Sequence, residues 1–390
     1  MALATDTPQV TGFGLTEEQA EVQQAARDFA QTQLWDGIIE RDNEQRFPAE
    51  QVKKMGELGF MGMMVSPEYG GSGMDTVSYI LAIEEISKVD ASASVCMSVN
   101  NSLVCWALEK YGTEEQKQKF LKPLASGEKI GAFCLSEPEA GSDATSQRTT
   151  AEDKGDHYLV NGTKNWITNG KNASIYLVIA QTDVDKKHKG INCVIVERGM
   201  DGFVVGKKED KMGIRGSDTH SLMFTDVKVP KENRLGTDGQ GFNIAMTTLN
   251  GGRIGIAAQA VGIAGGALEL ALKYSKERKT FGKEIHKHQA IAFKLADMAT
   301  KVEAARLLCL KAAQIKDAGG DYSLSGAMAK LYASKIAMEV ASDAIQIHGG
   351  YGYVKEYHVE RMLRDAKITE IYEGTSEIQK IVISRSILKD

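Results

Sequence analysis

Near the end of this 390-residue chain, Ile371-Tyr372-Glu373-Gly374-Thr375-Ser376-Glu377-Ile378-Gln379 places a carboxylate ahead of a glycine and two hydroxyl residues. Glycine has no Cβ, so backbone there can lie against a ligand. Ser376 with Gln379 three residues on reads as a capping box before the apolar Ile381, Val382, Ile383, Ile387 and Leu388. The pattern predicts a loop carboxylate just before a helix N-terminus, where free N–H groups favour anions. Such a group could serve as a general base beside a phosphorylated cofactor. On residue types alone, a surface glutamate next to a helix cap is an equal alternative.

Four other runs carry chemistry-capable side chains. Phe133-Cys134-Leu135-Ser136-Glu137-Pro138-Glu139-Ala140-Gly141-Ser142-Asp143 reads as an apolar strand leading into a polar loop. Its N–H groups and hydroxyls could hold an anion, although a plain strand and turn fits equally well. Trp166 and Thr168 follow; a Trp in a half-buried strand is more often core, given its large apolar area. Arg278-Lys279-Thr280-Phe281-Gly282-Lys283 offers a guanidinium suited to bidentate phosphate contact, or simply a solvated charge. Gln346-Ile347-His348-Gly349-Gly350-Tyr351-Gly352-Tyr353 would by itself be a helix C-cap. No G-x-G-x-x-G after a strand, no G-x-x-x-x-G-K-[ST] and no G-x-S-x-G is present. His286 and His288 fall two apart, which on a helix puts them on different faces, so no metal site is expected.

The elements that must position these residues divide the chain in three, an α+β multidomain pattern. Residues 1–130 are helical in pattern from Thr16 to about Leu124, with a loop at Pro67–Gly73. Residues 131–233 are β in pattern. Tyr158 to Thr168 predicts two short strands around an Asn161-Gly162 turn, and Leu222 to Val229 predicts edge or barrel strands ending at Pro230. Residues 234–390 return to helix, chiefly Ile254 to Lys276, Ala290 to Lys316 and Ser325 to His348.

Composition narrows the class. Hydrophobic content of 42% and charged content of 25% are those of an ordinary globular protein, and a net charge of -5 argues against a nucleic-acid partner. Lys186-Lys187-His188-Lys189 reads as a solvated turn. Five scattered cysteines without a C-x-x-C pair point to buried thiols in a reducing compartment. No apolar run is expected to reach the ~20 residues of a membrane span. Met1 to Gly14 has neither a secretory nor a mitochondrial address pattern. A bacterial cytoplasmic protein is therefore expected; a processed form in the mitochondrial matrix would have the same sequence character.

Taken together and in this order, the runs resemble the signatures of the acyl-CoA dehydrogenase family, and the resemblance spans essentially the whole chain. It implies an N-terminal helical domain, a central β-barrel-like domain and a C-terminal four-helix bundle, with FAD as cofactor. It places Phe133, Leu135 and Ser136 at the pyrimidine side of the flavin and Ser142 near the pyrophosphate and substrate. Trp166 would pack beside the ring, with the Thr168 hydroxyl on its reactive nitrogen. Arg278, Phe281 and Gln289 would reach a neighbouring subunit's flavin, and Gln346, Gly349 and Gly350 its adenine half. Thr375 and Glu377 would also meet the cofactor.

The implied reaction converts a saturated acyl-CoA to the trans-2-enoyl-CoA. Glu373 would take the α-proton while the β-carbon gives a hydride to flavin. The thioester oxygen would be held by a ribityl hydroxyl and the Glu373 N–H. Some family members carry the base immediately before an arginine on another helix. Here that segment is Leu249-Asn250-Gly251-Gly252-Arg253, and Gly252 stands in that place, which favours Glu373. Asn250 and Arg253 would contact CoA, with Tyr372 and Gly374 at the thioester. Met97-Ser98-Val99-Asn100-Asn101-Ser102-Leu103 resembles the short-chain members, implying a C4 to C6 acyl group. Electron-transferring flavoprotein as acceptor and a homotetramer are implied as well. The alternatives are a branched short-chain dehydrogenase, an acyl-CoA oxidase, or a non-catalytic acyl-CoA binder.

Overall fold

A computed structural model describes residues 14–389, so the reading of Met1 to Gly14 as carrying neither a secretory nor a mitochondrial address falls, Gly14 apart, outside the described part. The first helix, Glu17–Phe29, starts at a capping box between Thr16 and Gln19 and buries Val22, Ala26 and Phe29 at three- and four-residue spacing. Thr76–Ser87 is buried on every side. It packs against Glu17–Phe29 and against the C-terminal helices Gly241–Glu277 and Gln289–Asp317, so the two helical regions share one core.

Between them stand eight strands: β1 (Gly131–Cys134), β2 (Thr150–Asp153), β3 (His157–Thr168), β4 (Ile175–Gln181), β5 (Ile191–Glu197), β6 (Phe203–Lys208), β7 (Thr219–Pro230) and β8 (Arg234–Leu235). They hydrogen-bond in the order β6-β7-β3-β2-β4-β5-β8, with β1 parallel to β4. Period-two alternation gives the sheet two apolar faces. Phe133, Ile175, Leu177 and Ile179 join the helical core, while Ala132, Cys134, Tyr176, Val178 and Ala180 join a second core within the sheet domain.

Two strand expectations are corrected. Asn161-Gly162 is no hairpin turn, because β3 runs straight through it along β7 with a register shift between Val160 and Gly162. The Asn161 amide pairs with Asp226 on the facing strand (3.0 Å), and its carbonyl oxygen accepts the Asp226 N–H (2.8 Å). Gly162 is required at this bulge: its φ is 142°, and a Cβ there would sit 2.6 Å from the Thr149 hydroxyl. Long-range pairing thus overrides a local turn signal. Leu222 to Val229 belong to one strand, β7, which ends at Pro230 as expected but lies between β6 and β3 and so is not an edge.

The C-terminal helices are longer than expected, at Gly241–Glu277, Gln289–Asp317 and Ser323–His348, and are followed by Val359–Ile368 and Ser376–Ile387. The first corrects a further expectation, for it holds a stretch apolar and long enough to cross a membrane. That stretch is 83% buried inside the protein, so its apolar surface is consumed by packing. His286 lies on the short turn Ile285–Lys287 and His288 just after it, not on a shared helix as assumed. Lys186–Lys189 lie on an exposed turn, and all five cysteines are free and buried.

Candidate active site

The turn between the last two helices carries Glu373. Thr375, not Ser376, is the N-cap: its hydroxyl accepts the Ile378 N–H at 3.4 Å. Ser376 opens the helix and donates to the Glu370 carbonyl. Gln379 is buried and turns back, donating to the Gly374 carbonyl at 2.8 Å and the Glu373 carbonyl at 3.1 Å. The predicted capping box is therefore replaced by a glutamine brace. With adjacent hydroxyl residues, spacing alone could not choose the cap. Ile381, Ile387 and Leu388, expected to back this helix, are exposed.

Glu373 has φ 54° and Gly374 φ 89°. A non-glycine residue held in the left-handed region costs on the order of 1–3 kcal/mol, so the turn needs external support. Gln379 supplies part of it. Lys330, fully buried on Ser323–His348, supplies the rest by donating to the Gly374 carbonyl at 2.8 Å.

The carboxylate points at the Gly241–Glu277 helix. A Cβ on Gly252 would lie 2.5 Å from Glu373 Oε2 and 2.8 Å from Leu103, so only glycine leaves room there. Oε2 is enclosed and has no hydrogen-bond partner. Burial pushes the Glu373 carboxyl up to about 7, against the pull of Arg253 and Lys330. Arg253 donates to Asn250 Oδ1 at 2.8 Å, and Asn250 donates to Ser323 at 3.3 Å. The Tyr372 hydroxyl donates to Gln259, whose amide donates at 2.9 Å to the Ala91 carbonyl and Ser94 Oγ. Leu103 comes from a π-helical turn, Val99–Cys105, fixed by Asn100 and Asn101 to the backbone of Phe60, Met61, Met97 and Leu124.

The loop leaving β1 is tied to β3. Ser136 accepts the Asn165 N–H at 2.9 Å, bringing Leu135 and Ser136 beside the stretch with Trp166 and Thr168. Underneath, Lys164 is fully buried and donates to the Leu135 carbonyl (3.0 Å), Glu137 (2.7 Å) and Gln147 (3.2 Å). Glu137 also accepts the Arg148 and Thr149 N–H groups. Trp166 is not core, as residue type suggested; it is 60% exposed and held at φ 62° at a bulge in β3. Ser142 is exposed in the loop.

Arg278, Gly349 and Gly350 come together around a separate cavity of about 480 Å³, with the guanidinium 5.6 Å from the Tyr351 ring. Gln346 lies in the helical turn just before it. Phe281, at the tip of the β hairpin Lys279–Thr280/Lys283–Glu284, is 96% exposed, and Gln289 opens the next helix in solvent. Thr375 and Glu377 line a third space, a groove of about 820 Å³ that also holds Lys335, Lys367 and Lys380.

Sequence reasoning missed Lys164, Lys330 and Gln259. Lys330 had a signal, since it interrupts a stripe of small residues, Ala327, Ala333, Ser334 and Ala337, at helical spacing.

Polar atoms enclosed without a protein partner include Arg253 Nε and Thr248 Oγ1 on the Gly241–Glu277 helix, and Glu373 Oε2 and Gln379 Oε1 on the last turn and the helix that follows it. With an aromatic face at Trp166 left in the open, this donor and acceptor set fits a polar, partly aromatic ligand.

Comparison with known proteins gives three domain matches: acyl-CoA dehydrogenase N-terminal domain (residues 16–128), middle domain (132–227) and C-terminal domain (239–388). A short-chain-specific acyl-CoA dehydrogenase of Clostridium acetobutylicum is 53% identical, covering 97% of this chain and all of the relative. The structure of butyryl-CoA dehydrogenase from Megasphaera elsdenii superposes with a TM-score of 0.95 at 50% identity, covering 97% of this chain and 100% of that one. A chain from work on the electron transferring flavoprotein of Acidaminococcus fermentans and flavin-based electron bifurcation has a TM-score of 0.96 at 54% identity, with coverage of 97% and 100%. A single turn with a buried carboxylate, a glycine opposite it and this full-length likeness lead to one conclusion: the chain belongs to the acyl-CoA dehydrogenase family.

Proposed function

We propose that this protein is an FAD-dependent short-chain acyl-CoA dehydrogenase, acting on C4 to C6 thioesters with Glu373 as the base. The observation that carries this is the enclosed Glu373 carboxylate facing Gly252, with its proton affinity raised to about 7. A base near working pH accepts an α-proton well and releases it again. Bound flavin supplies the acceptor for the β-hydride. Glu373 takes the proton, and its own N–H, which no backbone carbonyl engages among the described residues, is free to hold the thioester oxygen. Tyr372 and Gly374 border that position, and Asn250 and Arg253 face the CoA side.

The residues present fit the cofactor. Phe133, Leu135, Ser136, Ser142, Trp166 and Thr168 would hold it from the β domain, and Thr375 and Glu377 from the last helix. Arg278, Phe281, Gln289, Gln346, Gly349 and Gly350 would serve the flavin of a second subunit, a role supported by their outward placement. We take the assembly to be a homotetramer and the electron acceptor to be electron-transferring flavoprotein, and we place the protein in a bacterial cytoplasm. The free, buried thiols suit that compartment. The proposed domains are 1–130, 131–233 and 234–390, although β8 continues the sheet to Leu235.

An anaerobic titration of the purified protein with butyryl-CoA tests the reading. Loss of the oxidised-flavin band near ~450 nm is expected. A colourless protein that cannot be reconstituted with FAD, or best kcat/KM at C12 and above, would refute it.

A further inference from the structure

Lys330 is a buried cation bonded to the Glu373-Gly374 turn, and the reaction outlined above gives it no task. Its side chain is fully enclosed, yet no carboxylate pairs with it among the described residues. Its one protein acceptor is the Gly374 carbonyl at 2.8 Å, which Gln379 also engages at 2.8 Å. An ammonium group taken out of water is costly unless its charge is answered nearby. The groups around it come from every element packed there: Glu370, Glu373 and Glu377 from the turn and last helix, and Arg253 from the Gly241–Glu277 helix. Tyr372 and, on Thr76–Ser87, Tyr79 also sense the Glu373 charge.

We infer that Lys330 is a positioning residue for the base: its ammonium clamps the left-handed Glu373-Gly374 turn through the Gly374 carbonyl, and its charge is the counter-ion that keeps Glu373 ready to accept a proton. The first half rests on geometry. Two consecutive positive φ angles are held by hydrogen bonds to the turn's carbonyls, and Lys330 and Gln379 supply them. The second half rests on charge balance. Two cations act on Glu373, Arg253 first and Lys330 second, and neither has a carboxylate in ion-pair contact among the described residues; only Lys330 also holds the Glu373-Gly374 turn. Burial draws the Lys330 ammonium down to about 8, so it remains charged at neutral pH. When Glu373 takes up a proton, Lys330 loses its answering charge; this makes proton release from Glu373 to solvent easier after each turnover.

This inference rests on Glu373 being the base, and the test separates the two. Flavin-bound wild type, Lys330→Gln, Lys330→Met and Glu373→Gln are compared by carboxyl infrared difference titration and by the pH dependence of butyryl-CoA-driven flavin bleaching. The Glu373 band is the one missing from Glu373→Gln. In Lys330→Gln, which can still donate to Gly374, its midpoint should rise by about one pH unit or more, and the acid limb of the bleaching rate should rise with it. Lys330→Met should show the same shift and an additional pH-independent loss of rate, because the clamp is gone as well. If Glu373→Gln is inactive but the band stays at its wild-type midpoint in Lys330→Gln, the counter-ion role is overturned while the base stands. Should Lys330→Met not fold, Lys330→Gln alone decides. Near-normal bleaching by Glu373→Gln would overturn the base itself.

Discussion

Two lysines are sealed from solvent, Lys164 behind the loop that leaves β1 and Lys330 behind the Glu373 turn. Lys164 meets Glu137 at 2.7 Å and has two further acceptors, while Glu137 in turn takes two backbone N–H groups. That set is neutral and saturated, so its effect stays local: it fastens β1's loop to β3. Lys330 meets one carbonyl, and its charge is left to act on groups farther away. In a low-dielectric interior a charge without a contact ion pair reaches across several ångströms. The comparison shows how one side-chain type serves as a rivet in the sheet and as a source of field in the helical domain. What decides between them is whether a carboxylate stands within hydrogen-bond reach.

Substitutions can break this contrast at several points. Replacing the proposed base with an isostere is the largest: Glu373→Gln should cut butyryl-CoA-driven bleaching about 10²–10⁴-fold, with the flavin spectrum retained. Lys164→Met should strand the Glu137 carboxylate and lower stability by about 3–5 kcal/mol in denaturant unfolding. Gly252→Ala should push the base aside and cost about 10²-fold in kcat/KM, since the new Cβ meets the carboxylate and Leu103 at once.

A subtler effect follows from pH. Burial raises the Glu373 carboxyl from its ordinary 4.5 to about 7, so the folded chain holds a proton that the unfolded chain would release. The stability tied to this proton is present below about pH 4.5 and is lost as pH rises through 7. Glu373→Gln should therefore be more stable than wild type at pH 8 and no more stable at pH 4, as thermal unfolding at the two pH values would reveal. With Glu373 in its proposed role, butyryl-CoA-driven bleaching should run the opposite way, rising with pH through 7 as the carboxyl ionises. The smallest effect belongs to Phe281→Ala. It should change the stability of the chain itself by less than about 0.5 kcal/mol while shifting sedimentation toward smaller species.

Residues whose neighbours are close in sequence were the most legible. The helix–sheet–helix order followed from local periodicity, and Glu373 stood out because glycine and hydroxyl residues follow it directly. Gly252 could be read as the vacant alternative position, and a Cβ there would meet the Glu373 carboxylate. Legibility failed where distant partners decide the outcome. Asn161-Gly162 has the local chemistry of a hairpin, but β7 captures it as a bulge. Trp166 has the area of a core residue, but a positive φ turns it outward. Ser376 and Thr375 differ as caps only through the direction in which the chain enters the helix. No apolar run of ~20 residues was expected, yet the helix Gly241–Glu277 is buried without a break from Gly251 to Ala267, Arg253 and Gln259 included. Lys330 lay in plain view on an apolar stripe, and no local rule says what a lone buried lysine touches.

The five buried thiols have a practical side. Cys96, Cys105, Cys134, Cys193 and Cys309 are enclosed, and burial pushes each thiol well above its ordinary range. Alkylating reagents attack the thiolate, so the native protein should be silent toward maleimides. A single cysteine introduced by Phe281→Cys, at a site 96% exposed, would be the one reactive handle on the chain. A fluorophore attached there would mark the surface proposed to meet a second subunit, with every native cysteine left in place.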